Sequence, residues 1–269
     1  MPRPFTTSWS PPPPRTRQAQ LDEKWAFVAK KQANCDPADP ADDRKGDHWD
    51  HVALDPDHRL VVSVVPGKRA AENTLALVRD FRRRTSGRLM DLITTDEYAP
   101  YRGAILEVYG ETVEPPRSGK RGRPRKAYKV PPAGLTYATV HKTRVKGRVA
   151  KVEQRIIFGT AEAVGAALAR SASSRAINTS FVERQNGTDR NRNARKVRKT
   201  YCFSKDWSVH EAITYFTMCS YNFCWPVRTL RVKTDDGGWQ RRTPAMAAGL
   251  ADHVWSLTEW LTLPAVHQK

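Results

Sequence analysis

The segment that covers residues 178–200 carries the first indication of chemistry in this sequence. It reads NTSFVERQNGTDRNRNARKVRKT, a helical pattern that is almost devoid of apolar residues. Because packing against a core cannot account for such a helix, we expect its partner to be polar. Glu183 is an acid in a strongly basic stretch. This suits a metal ligand beside a phosphate backbone, since divalent cations bind hard oxygen ligands and nucleic acids bind positive charge.

The spacing within this segment predicts one functional helix face. Steps of three and four residues place on it Glu183, Asn186, Gly187, Arg190 and Ala194. The Glu183 carboxylate and the Arg190 guanidinium would then lie about 10 Å apart along the helix axis. The structural alternative is a capping box, in which Ser180 and Glu183 side chains satisfy free backbone N–H groups at the helix start. This segment alone leaves both interpretations open.

Two further acids stand where a metal site could be built. Asp96 follows the apolar run 89–95, which predicts a buried strand, and Asp22 stands at the entrance to the first predicted strand, in LDEKW. Two Mg²⁺ ions that act together in phosphoryl transfer need three or four carboxylates from separate elements. Asp55 is the alternative to Asp22 as the first ligand, although Asp55-Pro56-Asp57 is most simply a turn.

The elements that must position these acids follow an α/β order. Apolar runs at 25–28, 51–54 and 60–65 predict three successive antiparallel strands, followed by a helix to about residue 84, the strand that ends at Asp96, and a helix over 99–109. A β-hairpin around Lys146-Gly147, a helix over 160–170 and a long core helix over 208–224 complete the prediction. The ribonuclease-H-like fold opens with the same order, which periodicity alone does not distinguish from other α/β arrangements.

Composition narrows the class of partner. The chain has 269 residues, 39% of them hydrophobic, which is enough for a real core, and its net charge is +18 with a pI near 10.1. Such an excess favours nucleic acid over an acidic membrane surface. The basic Pro- and Gly-rich segment 115–132 would be either a solvated linker or an exposed insertion that lies along phosphates or in an A·T-rich minor groove. We expect a cytoplasmic protein, because the sequence shows neither an apolar run long enough to span a bilayer nor a signal-peptide core.

Three motifs carry a resemblance to a known family. LDEKWAFVAKK, LITTDEYAPYRGAI and FVERQNGTDRNRNARKVRKTYCFSK resemble, in this order, the Asp-Asp-Glu transposases of the insertion-sequence-one family of bacterial mobile elements. The resemblance covers about residues 20–262. It implies an α/β, ribonuclease-H-like (retroviral-integrase-type) mixed sheet flanked by helices, with a basic insertion and a β-hairpin between the second and third acidic residues.

The resemblance also implies a site and a reaction. Asp22, Asp96 and Glu183 would be the catalytic and metal-binding residues, holding two Mg²⁺ ions with Mn²⁺ as a substitute, and Arg190 would face substrate phosphate. The reaction would be water attack on a phosphodiester at the transposon end, followed by attack of the freed 3′-hydroxyl on target DNA. The DNA-binding residues would be Arg184, Asn186, Arg190, Arg192, Arg195, Lys196, Arg198 and Lys199 in the basic helix, with Lys120, Arg121, Arg123, Arg125 and Lys126 in the basic insertion.

The expected partners follow from the resemblance and from the need to bring two DNA ends together, and the expected segments combine the resemblance with composition and the predicted elements. The partners would be double-stranded DNA, as terminal repeats and target, and further copies of this chain on that DNA, in the cytoplasm and nucleoid of a bacterium. The expected segments are a disordered Pro-rich arm (1–19), the first half of the catalytic domain (20–112), a basic linker and β-hairpin insertion (113–159), the second half with the Glu-bearing helix (160–231) and a helical tail (232–269).

The sequence departs from the family at two points. Family members usually carry an N-terminal zinc-binding and helix-turn-helix region, whereas this chain begins almost at the expected catalytic core. We expect either a separately encoded DNA-binding protein of that kind or a truncated, inactive copy. The position after Trp225-Pro226, often His in the related tail, is Val227. Two alternatives therefore stand beside the transposase: an inactive DNA-binding remnant, and a ribonuclease-H-like nuclease without strand transfer.

Overall fold

The computed structural model describes residues 15–115 and 125–262. The predicted DNA contacts Lys120, Arg121 and Arg123 and most of the predicted Pro-rich arm lie outside the described residues. Within them the strands are β1 (Gln18–Val28), β2 (Gly46–Asp55), β3 (Leu60–Gly67), β4 (Leu92–Asp96), β5 (Glu111–Val113), β6 (Tyr128–Val130), β7 (Tyr137–Val145), β8 (Arg148–Phe158), β9 (Val232–Lys233) and β10 (Trp239–Gln240). The α-helices are α1 (Ala71–Arg84), α2 (Pro100–Tyr109), α3 (Ala161–Arg170), α4 (Ser180–Arg192), α5 (Trp207–Cys224), α6 (Pro244–Ala247) and α7 (Leu257–Thr262).

The fold is α/β, with a mixed six-stranded sheet flanked by helices, as predicted. The strand order is β3-β2-β1-β4-β7-β8. Strands β1, β2 and β3 form the predicted antiparallel meander, β4 and β7 continue the sheet parallel to β1, and β8 returns antiparallel to β7. This arrangement is compatible with a ribonuclease-H-like fold.

Two predicted boundaries are wrong. The segment 113–159 was expected to be an insertion, but β7 pairs with β4 over four residues and is an integral strand of the central sheet. The arm was expected to extend to residue 19, but Gln18 and Ala19 are buried and begin β1. The hairpin strand β7 belongs to the sheet because its backbone pairs with the distant strand β4, a contact that local patterns do not record. Strand β1 extends past its apolar run because a strand in the middle of a sheet is held by hydrogen bonds on both edges.

Helices cover both faces of the sheet. On one face, Leu21 and Ile93 pack with Leu77 of α1 and Ile105 of α2. On the other face, the β2–β3 end packs against Val182 and Met218, and the β4–β7 end packs against α3. The alternation of side chains along each strand supplies both apolar layers.

Local signals for several elements are confirmed. Thr160 caps α3, since its side chain accepts a hydrogen bond from the Ala163 N–H at 3.2 Å. The hairpin between β7 and β8 turns at Lys146 and Gly147, both with positive φ (48° and 78°), as a type I′ turn requires. Among the described helices, none is both long and apolar enough to cross a bilayer.

Candidate active site

The register of the sheet brings Asp22 and Asp96 together. Leu21 of β1 pairs with Thr95 of β4 in parallel, so the next residue on each strand, Asp22 and Asp96, lies at the same level. The prediction that Asp22 stands at a strand entrance is wrong, because it is the fifth of eleven residues in β1. Asp96 is the last residue of β4, as predicted. The two carboxylates therefore meet where β4 ends and β1 continues.

Glu23 lies beside these two acids, and no motif in the sequence predicted this position. Ligand oxygens of Asp22, Glu23 and Asp96 all lie within 4.8 Å of one another. We call these three residues the carboxylate group. The adjacency of Asp22 and Glu23 is the only feature of the sequence that could have predicted a shared site. Strand alternation predicts the opposite, since neighbouring residues of a strand point to opposite faces. Beyond the end of β4 the two carboxylates nevertheless approach each other.

The environment of Glu23 is tightly built. Its side chain is only 1% exposed, and Arg69 donates a hydrogen bond to its Oε2 at 3.1 Å. Its Oε1 is buried, and the interaction with the buried Tyr101 hydroxyl acts to lower the pKa of Glu23 and to raise that of Tyr101. Glu23 is therefore held on one side by a guanidinium and on the other by a phenol.

The electrostatics of the carboxylate group indicate an excess of negative charge. Burial, followed by the charges of Asp96 and Glu23, raises the pKa of Asp22 to about 7. Burial is also the main cause that raises the pKa of Asp96 and of Glu23. The ionised forms of these carboxylates repel each other in the fold. A divalent cation, which binds hard oxygen ligands, would stabilise the ionised forms. The residues present therefore fit a Mg²⁺ or Mn²⁺ site.

Glu183 lies close to the carboxylate group but is not part of it. It is in the first turn of α4, and its charge contributes to the raised pKa of both Asp22 and Asp96. Its Oε1 accepts hydrogen bonds from the Lys142 ammonium and from the Thr179 hydroxyl, the latter at 2.5 Å. The side chain is 44% exposed, so a rotamer change can bring it toward the other acids at little packing cost.

Strand β1 fixes the position of α4 through side chains on one face. The Gln20 side chain accepts hydrogen bonds from the backbone N–H groups of Phe181 and Val182 at 3.0 and 3.1 Å. Two residues along the strand, Asp22 accepts one from the Asn186 side chain at 2.8 Å. Two strand residues span about 6.8 Å and four helical residues about 6 Å. Every second side chain of β1 therefore lies opposite the next turn of α4.

The capping-box alternative for Ser180 and Glu183 is wrong. The two N–H groups at the start of α4 are satisfied by Gln20, and the Ser180 hydroxyl donates to the Asn178 side chain instead. Asn186, predicted to contact DNA, is buried and holds the Asp22 carboxylate. The predicted helix face also stops early, because α4 ends at Arg192 and Ala194 lies in a short 3₁₀ turn.

A buried network of charges continues this contact beyond Asp22. The Lys24 ammonium pairs with Asp189 of α4 and, at 3.1 Å, with Asp50 of β2. Asp50 is also paired with Lys196 at 2.5 Å. All these side chains are at most 2% exposed, so the prediction that Lys196 binds DNA is wrong. Removal of one member of a buried ion network is strongly destabilising, because the partner charge is left uncompensated.

The other predicted DNA contacts differ in accessibility. Arg190 is half-buried; burial is the main cause that lowers its pKa, with Asp22 close enough to act in the opposite direction. Its Nε has no partner among the described residues. Arg192 is stacked over Trp225 at 4.4 Å, and Arg195 is half-buried. The remaining predicted contacts are exposed: Arg184, Arg198, Lys199, Arg125 and Lys126.

Asp55 is a turn residue in this structure. It is buried, accepts hydrogen bonds from the backbone N–H groups of Asp57 and His58, and pairs with the His58 ring at 2.7 Å. It is not among the residues whose oxygens gather around Asp96. Of the two alternatives for the first metal ligand, the geometry favours Asp22.

A comparison with protein-family models and with curated proteins found no match to this chain. The fold and the site geometry therefore carry the functional argument.

Proposed function

We propose that this chain is a metal-dependent DNA transposase of the Asp-Asp-Glu type, similar to those of the insertion-sequence-one family. The observation that carries the proposal is the meeting of Asp22 and Asp96 on adjacent parallel strands with Glu183 on the helix above them. The sheet order, with its antiparallel meander followed by parallel strands, supports the ribonuclease-H-like assignment. The exposed Arg and Lys side chains of α4 and the segment after it support DNA as the substrate.

The site residues have distinct roles under this proposal. Asp22 and Asp96 would hold divalent cations together with Glu183 or Glu23. Such cations, when bound, polarise a phosphodiester and activate water or a 3′-hydroxyl as the nucleophile. Asn186 fixes the orientation of the Asp22 carboxylate by its hydrogen bond. Phosphate contacts from the exposed basic side chains would position the DNA without reading its sequence.

The salt bridge between Lys142 and Glu183 affects whether the chain can act as a transposase. The Lys142 ammonium pairs with the Glu183 carboxylate, and a salt bridge of this kind competes with a metal for the same oxygens. This contact favours the inactive DNA-binding remnant as the second candidate function. The pair is partly exposed, however, so it contributes little to the free energy of folding and a bound metal could replace it.

The test is a cleavage and joining assay with the DNA that flanks the gene as substrate. With Mg²⁺ or Mn²⁺ we expect nicks at defined ends and joining of the 3′-hydroxyl to a second DNA. Asp96→Asn and Glu183→Gln should lose cleavage by at least about 100-fold while keeping DNA affinity. Asp235→Asn, at an exposed turn residue, is the matched control.

The outcomes separate the candidates. Cleavage without joining identifies a nuclease, and DNA binding without cleavage identifies the remnant. Cleavage that persists in Glu183→Gln but is lost in Glu23→Gln would assign the third ligand to Glu23. Cleavage that persists in Asp96→Asn would overturn the site assignment.

A further inference from the structure

A row of aromatic side chains leads away from the carboxylate group along the sheet. It consists of Trp25 and Phe27 of β1 and of Phe203, and we call it the aromatic row; the exposed Tyr201 is two residues before Phe203 in the chain. The ring centroids of Trp25 and Phe27 are 5.8 Å apart, and those of Phe27 and Phe203 are 4.8 Å apart. Strand alternation puts Trp25 and Phe27 on the same face as Glu23. The row therefore starts one side-chain step from the carboxylate group.

Backbone contacts hold the two parts of the row together. The chain around Ser204 runs parallel to the end of β1, where the Ala29 N–H donates to the Ser204 carbonyl at 2.7 Å. This contact places Phe203 against Phe27. At the other edge of β1, Trp49 of β2 is the antiparallel partner of Trp25.

The aromatic row is not part of the hydrophobic core. None of the three apolar clusters formed by the described residues includes Trp25, Phe27 or Phe203, and all three rings are half-buried. Tyr201 is 96% exposed. Large aromatic side chains that lie in a row at the surface mark a binding site more often than a folding requirement.

The charges along the row favour a nucleic-acid strand over an apolar protein surface. Residues 194–205, ARKVRKTYCFSK, carry no acid and five Lys or Arg, of which all but the buried Lys196 are at least partly exposed. The Lys205 ammonium lies over the Phe203 ring at 3.1 Å from its centroid. At the other end, Arg69 lies over the Tyr98 ring at 4.2 Å. Aromatic rings interleaved with basic side chains are the arrangement that binds single strands, with bases stacked on the rings and phosphates on the charges.

We propose that the aromatic row binds unpaired bases of a DNA strand that continues past the carboxylate group. This inference rests on the proposed function, which places a phosphodiester of the same strand at Asp22 and Asp96. Stacking is sequence-tolerant, because every base offers a π-face. The row would hold an end that has frayed or been cut, and it would disfavour intact duplex, whose bases are stacked on each other.

The test measures binding of labelled oligonucleotides by fluorescence anisotropy in EDTA, so that it requires neither metal nor cleavage. The probes are a mixed-sequence single strand, an abasic strand of equal length and a blunt duplex. Phe203→Leu and Trp25→Leu should each weaken single-strand binding by about 5- to 100-fold. Both should change abasic-strand and duplex binding by less than about two-fold, because phosphate contacts are retained. Trp25→Phe should restore most of the affinity.

Trp239→Leu is the matched control, since Trp239 is also half-exposed and stacked on an arginine, Arg231 at 4.0 Å, but lies on β10 outside the row. Equal loss of affinity for base-containing and abasic strands, or unchanged single-strand binding in Phe203→Leu, would overturn the proposal. So would a dimer in sedimentation that Phe203→Leu dissociates, because the row would then be covered by a second copy. If stacking is found but cleavage is absent in the metal-dependent assay, the proposed function fails and the stacking site stands.

Discussion

The substitution Asp22→Asn is expected to stabilise the metal-free protein. Asp22 is crowded by two other acids in a buried site, so its ionised form is unfavourable in the fold. An asparagine at this position keeps the shape and can still accept the hydrogen bond that Asn186 donates at 2.8 Å. It removes only the charge. The stability gain therefore reports the electrostatic cost of the candidate metal site.

The magnitude follows from the raised pKa. Between pH 3.8, where the unfolded carboxyl titrates, and about pH 7, where Asp22 titrates in the fold, the folded chain retains a proton that the unfolded chain has lost. The contribution of Asp22 to stability therefore falls as pH rises through this window. At about 1.4 kcal/mol per pKa unit, the cost above pH 7 is at most about 4 kcal/mol, and relaxation would reduce it to roughly 1–4 kcal/mol.

The assay is urea denaturation in EDTA at several pH values. We expect Asp22→Asn to exceed wild type by roughly 1–4 kcal/mol at about pH 8, with the difference shrinking toward zero near pH 4. Asp235→Asn, at an exposed turn, should match wild type throughout. If the proposed metal site exists, millimolar Mg²⁺ should stabilise the wild type and leave Asp22→Asn nearly unchanged, because the substitution removes one of its carboxylates.

Two results would refute this reasoning. If Asp22→Asn is no more stable than wild type at about pH 8 in EDTA, the acids do not repel each other as the geometry requires. If the gain is present but independent of pH, it does not come from ionisation of Asp22.

Three further predictions concern the residues around the site. Lys24→Met should destabilise the fold by about 3–5 kcal/mol in urea denaturation, because Asp50 and Asp189 lose a buried counter-ion; a change below about 1 kcal/mol would contradict the network. Gln20→Leu should cost about 1–3 kcal/mol, since it leaves two N–H groups of α4 unpaired, and amide exchange in the first turn of α4 should accelerate. Arg198→Ala should weaken binding to any DNA sequence and reduce the salt slope of log K by about one, whereas an unchanged slope would exclude a phosphate contact.

Local sequence patterns determined most of the elements. The three apolar runs of the meander, the cap of α3, the Lys146-Gly147 turn and the position of Asp96 at a strand end all depend on residues close together in the chain. Periodicity, capping and turn chemistry act over a few residues, so they can be read without knowledge of the partners. The resemblance added the order of Asp22, Asp96 and Glu183, and its functional meaning stays a prediction.

Only the tertiary structure decided which polar side chains are exposed. Lys196 and Arg198 look alike in the sequence, but Lys196 is buried because Asp50, 146 residues earlier, pairs with it. Asn186 is buried and donates a hydrogen bond to Asp22 because the position of β1 brings that carboxylate beneath α4. Glu23 enters the carboxylate group where β4 ends. Burial of charge depends on counter-charges from distant segments, and no local pattern records them.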